Sequence, residues 1–172
     1  MNKIMIREGK IQDIPQIIQV IHDSIQSCIL DHQREDSVIQ RWLEQFNHAQ
    51  LIVEMLYNDC WVYILNDQIV GFLLVSDTGE ILMHYVAARF QRLGVGTQLF
   101  DQMHKSLVRK NIHKIKVQST QTALSYYQKN GFFSPNSQSE NEENYHLSLY
   151  TTNFTEPLSY QDSAFLKLPK FP

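Results

Sequence analysis

The chain has 172 residues, 43% of them hydrophobic and 19% charged, and fifteen Lys+Arg against eighteen Asp+Glu leave a formal charge of -3. That length suits one domain, and the apolar content suffices for a sizeable core, which excludes wholesale disorder. The charge balance excludes a protein organised around phosphate-backbone binding, which needs a concentrated positive surface, so no nucleic-acid partner is expected.

Ile4 and Ile6 alternate with their neighbours and predict a short first strand. Asp13 can cap a helix, Pro15 suits a first turn, and Ile14, Ile17, Ile18, Ile21 and Ile25 then recur at helical spacing over about 13–26. A second helix starts at Asp36 or Ser37 and carries the stripe Val38, Trp42, Leu43, Phe46. Residues 50–57 read as one or two more helical turns. Cys60–Leu65 and Ile69–Val75 are β-rich around an Asn66-Asp67 turn, and Glu80–Val86 follows a second turn at Asp77-Thr78-Gly79, so three antiparallel strands in a meander are expected.

After Arg89 the period changes to that of a helix, marked by Leu99, Phe100, Met103, Leu107 and Val108 and closed by Arg109 and Lys110. A strand over 112–117 and a short helix over 122–130 follow, the latter ended by Gly131. Phe132-Phe133 opens a strand, 134–144 is a polar, acidic loop, and Tyr145–Tyr150 closes the sheet. The tail, with Pro157, Pro169 and Pro172, reads as an extended strap or loose chain, giving a domain over 1–150 and a tail over 151–172.

Cys28 and Cys60 form no disulfide framework, no Cys/His spacing suggests a metal, and no apolar run is long enough for a membrane span. A reduced, cytoplasmic protein, free of the membrane and without metal, is the expectation. His22, His48, His104, His113 and His146 fall on different elements and read as structural or exposed.

The most informative stretch is Val86-Ala87-Ala88-Arg89-Phe90-Gln91-Arg92-Leu93-Gly94-Val95-Gly96-Thr97, a strand entering a glycine-bearing turn that opens a helix. The first amides of a helix lack internal partners and sit at the positive end of its dipole, so this is an anion site, with Gln91 and Arg92 as further donors. Leu99 stands where a dinucleotide fingerprint has its third glycine, and Thr97-Gln98 replaces the Lys-Ser/Thr of a P-loop, so both of those readings fail.

Gln91-Arg92-Leu93-Gly94-Val95-Gly96 resembles the Gln/Arg-x-x-Gly-x-Gly/Ala acetyl-CoA motif of the GNAT superfamily, the general-control-related N-acetyltransferases. Some thirty residues on, Ala123-Leu124-Ser125-Tyr126-Tyr127-Gln128-Lys129-Asn130-Gly131-Phe132 is similar to the family's Ala-x-x-x-Tyr-x-Lys-x-Gly-Phe segment. Cys28-x-x-Asp31-His32 through Trp42 resembles a feature of small bacterial members.

The resemblance implies a single α/β domain: a twisted, mostly antiparallel mixed sheet of six to seven strands flanked by about four helices. It implies acetyl-CoA as cosubstrate, with its diphosphate on the amides of Arg92, Leu93, Gly94, Val95, Gly96 and Thr97 and its pantetheine arm along the strand ending at Val86. The backbone N–H of His84 would polarise the thioester carbonyl; its ring is either a base or a pocket-lining group. Thr120 occupies a position where the family often has a cofactor-binding Asn. Tyr127, with Tyr126 as its neighbour and fallback, would protonate the departing thiolate. Glu80, which by strand alternation shares a face with Leu82, His84 and Val86, is the candidate base. Asp31 and His32 would border the acceptor, a small-molecule or peptide amine, in a monomer or homodimer. The alternative is a CoA-binding regulatory module without catalysis.

Overall fold

The computed structural model describes residues 3–134 and 145–151. Six strands, β1 (Ile4–Glu8), β2 (Asp59–Leu65), β3 (Gln68–Val75), β4 (Glu80–Val86), β5 (Lys114–Ser119) and β6 (Tyr145–Tyr150), form one sheet in chain order. All neighbours are antiparallel except β4 and β5. The helices are α1 (Ile14–Ser27), α2 (Ile29–His32), α3 (Asp36–Glu44), α4 (His48–Tyr57), α5 (Val95–Arg109) and α6 (Gln121–Lys129). The mixed, mostly antiparallel sheet and the β2–β3–β4 meander are as the sequence predicts. A further bridge from Phe133 to Ser148 lies beyond β6, where the sequence opens a strand. Most of the expected loop at 134–144 and the tail beyond Thr151 lie outside the described residues.

The helical stripes divide between the two faces of the sheet. Ile14, Ile17, Val20, Ile21 and Ile25 of α1, with Leu51 of α4, bury against Val62, Ile64, Phe72, Leu74 and Met83. Val95, Leu99, Phe100, Met103 and Leu107 of α5, with Tyr127 and Phe132, bury against Trp61, Tyr63, Val70, Leu73, Ile115 and Val117. Each strand of the β2–β4 meander serves both clusters, so these segments read as almost continuous apolar runs.

Helix ends depart from expectation in informative ways. Asp13 does not cap α1; its carboxylate accepts from the Lys10 amide and from both ends of the Arg7 fork at 2.7 and 2.9 Å. Arg7 holds that carboxyl below its ordinary range. Neither Asp36 nor Ser37 caps α3, whose N-cap is Glu35 without a side-chain bond. The 50–57 segment is the end of a ten-residue helix opened by the Asn47 side chain. α6 starts one residue earlier than predicted, capped by Thr120.

Two bulges shape the sheet. Val70 is an extra residue in β3 and Leu82 an extra residue in β4. The second matters more. β4 pairs with β5 only at Glu80–Lys116 and Ile81–Val117. From Leu82 onward the two strands part, leaving a gap between them that faces the start of α5.

Candidate active site

α5 begins where β4 ends. Gly94 is its N-cap at φ +83, in the left-handed region where glycine escapes the Cβ clash. Its first intrahelical bond runs from the Gln98 amide to the Gly94 carbonyl, so the amides of Val95, Gly96 and Thr97 precede the ladder. No acidic side chain lies in the first turn to satisfy them. The sequence therefore presents a positive helix end, with no acidic residue in its own first turn, at the mouth of the gap.

The loop is held from behind by α1. Asp23 accepts from the Ala88 amide at 2.7 Å, and Ser27 accepts from the Gln91 side-chain nitrogen at 2.9 Å. The same Gln91 nitrogen donates to the Val86 carbonyl at 3.0 Å. Gln91 thus ties the loop together and its amide hydrogens are not free for a phosphate, contrary to the sequence expectation. Arg92 is exposed and itself left-handed at φ +61.

The edge of β4 facing the gap carries free backbone. The Ala87 amide bonds to Val70 on β3, and N–H directions alternate along a strand. Tyr85 therefore also turns its amide to β3, while His84 and Val86 turn theirs to the side where β4 and β5 part.

His84 is the centre of the side-chain cluster. Its Nε2 lies 3.1 Å from the Gly96 carbonyl and its Nδ1 3.2 Å from the Tyr127 hydroxyl. Burial of the ring lowers its pKa to about 4, an effect only partly offset by the Gly96 carbonyl. The ring is neutral at pH 7 and carries one proton. A carbonyl can only accept, so that proton sits on Nε2 and Nδ1 accepts from Tyr127. A ring so engaged and so weakly basic is a poor general base for an alkyl ammonium.

Tyr127 is buried, and desolvation pushes its phenol far above its ordinary value. Tyr126 stands edge-on to His84 at 5.5 Å between ring centroids. Its buried hydroxyl lies near that of Thr97 without reaching hydrogen-bond geometry, and burial pushes its pKa up to about 12. His84, Gly96 and the Tyr126-Tyr127 pair are thus brought together from three separate elements.

Other expected residues are placed elsewhere. Because Leu82 is an extra residue, Ile81 faces the α5 side and Met83 the α1 side, so Glu80 does not share a face with His84. Glu80 also lies four residues before His84, about 13 Å of extended strand, in a shallow groove of about 210 Å³ with Lys116, Gln118 and His146. Asp31 is no free carboxylate: it accepts from the amides of Gln121 and Thr122 and from the Thr122 hydroxyl, capping α6 from α2. His32 is buried, its Nδ1 accepting from the Arg34 amide and its ring edge-on to Trp42. Thr120 accepts from the Ala123 amide at 3.3 Å as the helix cap. A larger groove of about 370 Å³, bordered by Gln16, Asp23, Ile69 and Ala88, lies behind the loop and outside the gap.

The sequence reading missed Asp23 and Ser27, whose roles depend on partners more than sixty residues away. It also missed Tyr85, which packs edge-on to Phe46 on the opposite face from His84 and whose phenol is raised by burial.

The sheet thus parts between its two parallel strands, with the N-terminus of α5 at the split and Tyr127 bonded to His84 beside it. The model of the GNAT acetyltransferase domain matches residues 29–148, and the chain belongs to that family. Among solved structures it is similar to the PaiA N-acetyltransferase from Thermoplasma acidophilum in complex with coenzyme A. That match has TM-score 0.77 and 18% identity, covering 86% of this chain and 99% of that one. It is also similar to a GCN5-related N-acetyltransferase from Rhodopseudomonas palustris (TM-score 0.75, 20% identity, 85% and 94% covered). The ribosomal-protein-S18-alanine N-acetyltransferase from Escherichia coli matches with TM-score 0.65 and 13% identity, over 93% and 100% of the two chains. No curated protein sequence matches this one. Among the described residues no helix is long and apolar enough to cross a membrane.

Proposed function

We propose that the protein transfers the acetyl group of acetyl-CoA to a primary amine by direct attack. The observation that carries this reading is the parting of β4 from β5 at the N-terminus of α5, with Tyr127 at its wall. The PaiA enzyme, whose fold this chain shares, is a coenzyme A complex.

In this reading the diphosphate sits on the amides of Val95, Gly96 and Thr97, with Arg92, Leu93 and Gly94 forming the preceding turn. The pantetheine arm pairs with the free edge of β4 at His84 and Val86. The His84 amide donates to the thioester carbonyl, stabilising charge that grows as the amine attacks. The C–S bond then breaks, and Tyr127 gives its proton to the sulfur. Burial raises the phenol above its ordinary pKa, so it carries its proton at neutral pH and gives it up only as negative charge develops on the sulfur.

Direct attack is supported by the cysteines. Burial pushes the thiols of Cys28 and Cys60 up to about 11, so neither is a ready nucleophile for an acyl-enzyme. The amine must lose a proton, and among the described residues no carboxylate is hydrogen-bonded to His84 or Tyr127. Glu80 would act only through water, from the side of the sheet opposite His84. With Asp31 and His32 built into the fold, the acceptor meets the aromatic wall of Tyr85 and Phe46 instead.

Thiol release from acetyl-CoA across a panel of primary amines tests this reading. Tyr127→Phe is expected to lower kcat by about 10²- to 10⁴-fold while acetyl-CoA affinity, measured by calorimetry, stays near that of the wild type. Unchanged turnover removes Tyr127 from the mechanism. Saturable CoA binding with no thiol release on any amine would favour a regulatory module, and no binding at millimolar CoA would end both readings.

A further inference from the structure

We propose that the imidazole of His84 is a positioning residue: a rigid strut that fixes the Tyr127 hydroxyl to the first turn of α5. The inference rests on the reading of Tyr127 as proton donor, and goes beyond it by assigning a role to the ring rather than to the His84 backbone.

Tyr127 and Gly96 come from different helices, α6 and α5, and among the described residues the His84 ring hydrogen-bonds to both the phenol and the turn. Its two nitrogens face opposite ways, one to Gly96 at 3.1 Å and one to Tyr127 at 3.2 Å. Both bonds are possible together only in the Nε2–H tautomer, since the carbonyl must accept and the phenol must donate. The ring is also packed against its neighbours. Tyr126 and Tyr127 stand edge-on to it at 5.5 and 6.1 Å between centroids, and a Cβ added at Gly96 would come within 3.3 Å of Nε2. The ring cannot swing without losing a bond.

The consequence is geometric. The turn that holds Gly96 also carries the amides of the proposed diphosphate site, so seating the diphosphate fixes the Gly96 carbonyl, the ring, and through it the Tyr127 oxygen. A donor so held is registered to the sulfur at the other end of the same cofactor. In the resting state the phenolic proton points at Nδ1. Rotation about the C–O bond delivers it to the thiolate while Nε2–H keeps the ring in place. No proton has to pass through the imidazole.

Two measurements test the strut. In protein labelled with ¹⁵N-histidine, the free and CoA-bound forms at pH 7 should show His84 with Nε2 protonated and Nδ1 hydrogen-bonded. Tyr127→Phe should move the Nδ1 resonance toward that of an unbonded ring nitrogen and leave Nε2 in place. The opposite tautomer, or an Nδ1 signal indifferent to Tyr127→Phe, overturns the proposal.

In the second measurement, kinetics with an active amine from the panel, His84→Leu should lower kcat about 10- to 100-fold with KM for acetyl-CoA changed by no more than about twofold. Adding Tyr127→Phe to it should slow the enzyme no further than Tyr127→Phe alone. Wild-type turnover in His84→Leu, or losses that multiply in the double variant, sink the strut while leaving Tyr127 as the acid. Wild-type turnover in Tyr127→Phe sinks the strut and the acid assignment together.

Discussion

At the scale of single residues, His84 and Gly94 show how one position satisfies conflicting demands. Burial holds the His84 imidazole near 4, below its ordinary 6.5. As pH falls, the unfolded chain therefore takes up this proton first, and folding weakens from about pH 6.5 down to about 4, by up to about 3 kcal/mol. His84→Leu should accordingly lose less stability than the wild type between pH 7 and 4, measured by urea unfolding at both values. Parallel losses would mean that the ring titrates normally. Gly94 is different: its φ of +83 is strained for any side chain, but a Cβ there would meet nothing closer than Gln98 at 3.8 Å. Gly94→Ala should cost about 1–2 kcal/mol through backbone strain alone, and Gly94→Asn less than that, read as shifts in the denaturation midpoint.

At the scale of elements, α6 is placed by a residue from outside itself. Its own N-cap, Thr120, satisfies the Ala123 amide, and Asp31 on α2 satisfies those of Gln121 and Thr122. A carboxylate at a helix N-terminus also favours the dipole. Asp31→Ala should therefore destabilise the fold by about 1–2 kcal/mol and lower turnover as well, because α6 carries Tyr127. Urea unfolding and thiol release on the same sample would check this. A loss of turnover with unchanged stability would instead point to an acceptor contact by Asp31. The loop between β4 and α5 is organised the same way, with Asp23 and Ser27 of α1 holding Ala88 and Gln91.

At the scale of the whole molecule, the extra residue Leu82 and the two-pair contact of β4 with β5 convert a continuous sheet into one with a slot. The backbone of His84 and Val86 faces that slot, while Tyr85 is bonded to β3. Hydrogen exchange should distinguish them. Saturating CoA is expected to slow the His84 and Val86 amides at least tenfold on the order expected for newly formed strand bonds, with little effect on Tyr85. Equal protection of all three in the free protein would mean that the slot is closed.

How far the sequence reaches is visible in particular residues. The stripes of α1 and α5, the β2–β3–β4 meander and the motif glycines lie in contiguous windows, so periodicity and local backbone preference suffice to read them. The Gln91–Gly96 and Ala123–Phe132 segments similarly identify the family, because their chemistry is local. The fate of Asp31, which became a helix cap rather than a substrate carboxylate, is not readable in this way. Nor is that of Gln91, whose amide turned inward, or of Glu80, moved to the other face of the sheet by a single inserted residue. Each outcome depends on a partner that only the folded chain supplies. One extra residue shifts the two-residue alternation of a strand for everything after it, and a polar side chain goes to whichever unsatisfied group lies within reach. The sequence by itself determined most of the elements, the core and the family, though not α2; tertiary structure decided which polar groups remained free for chemistry.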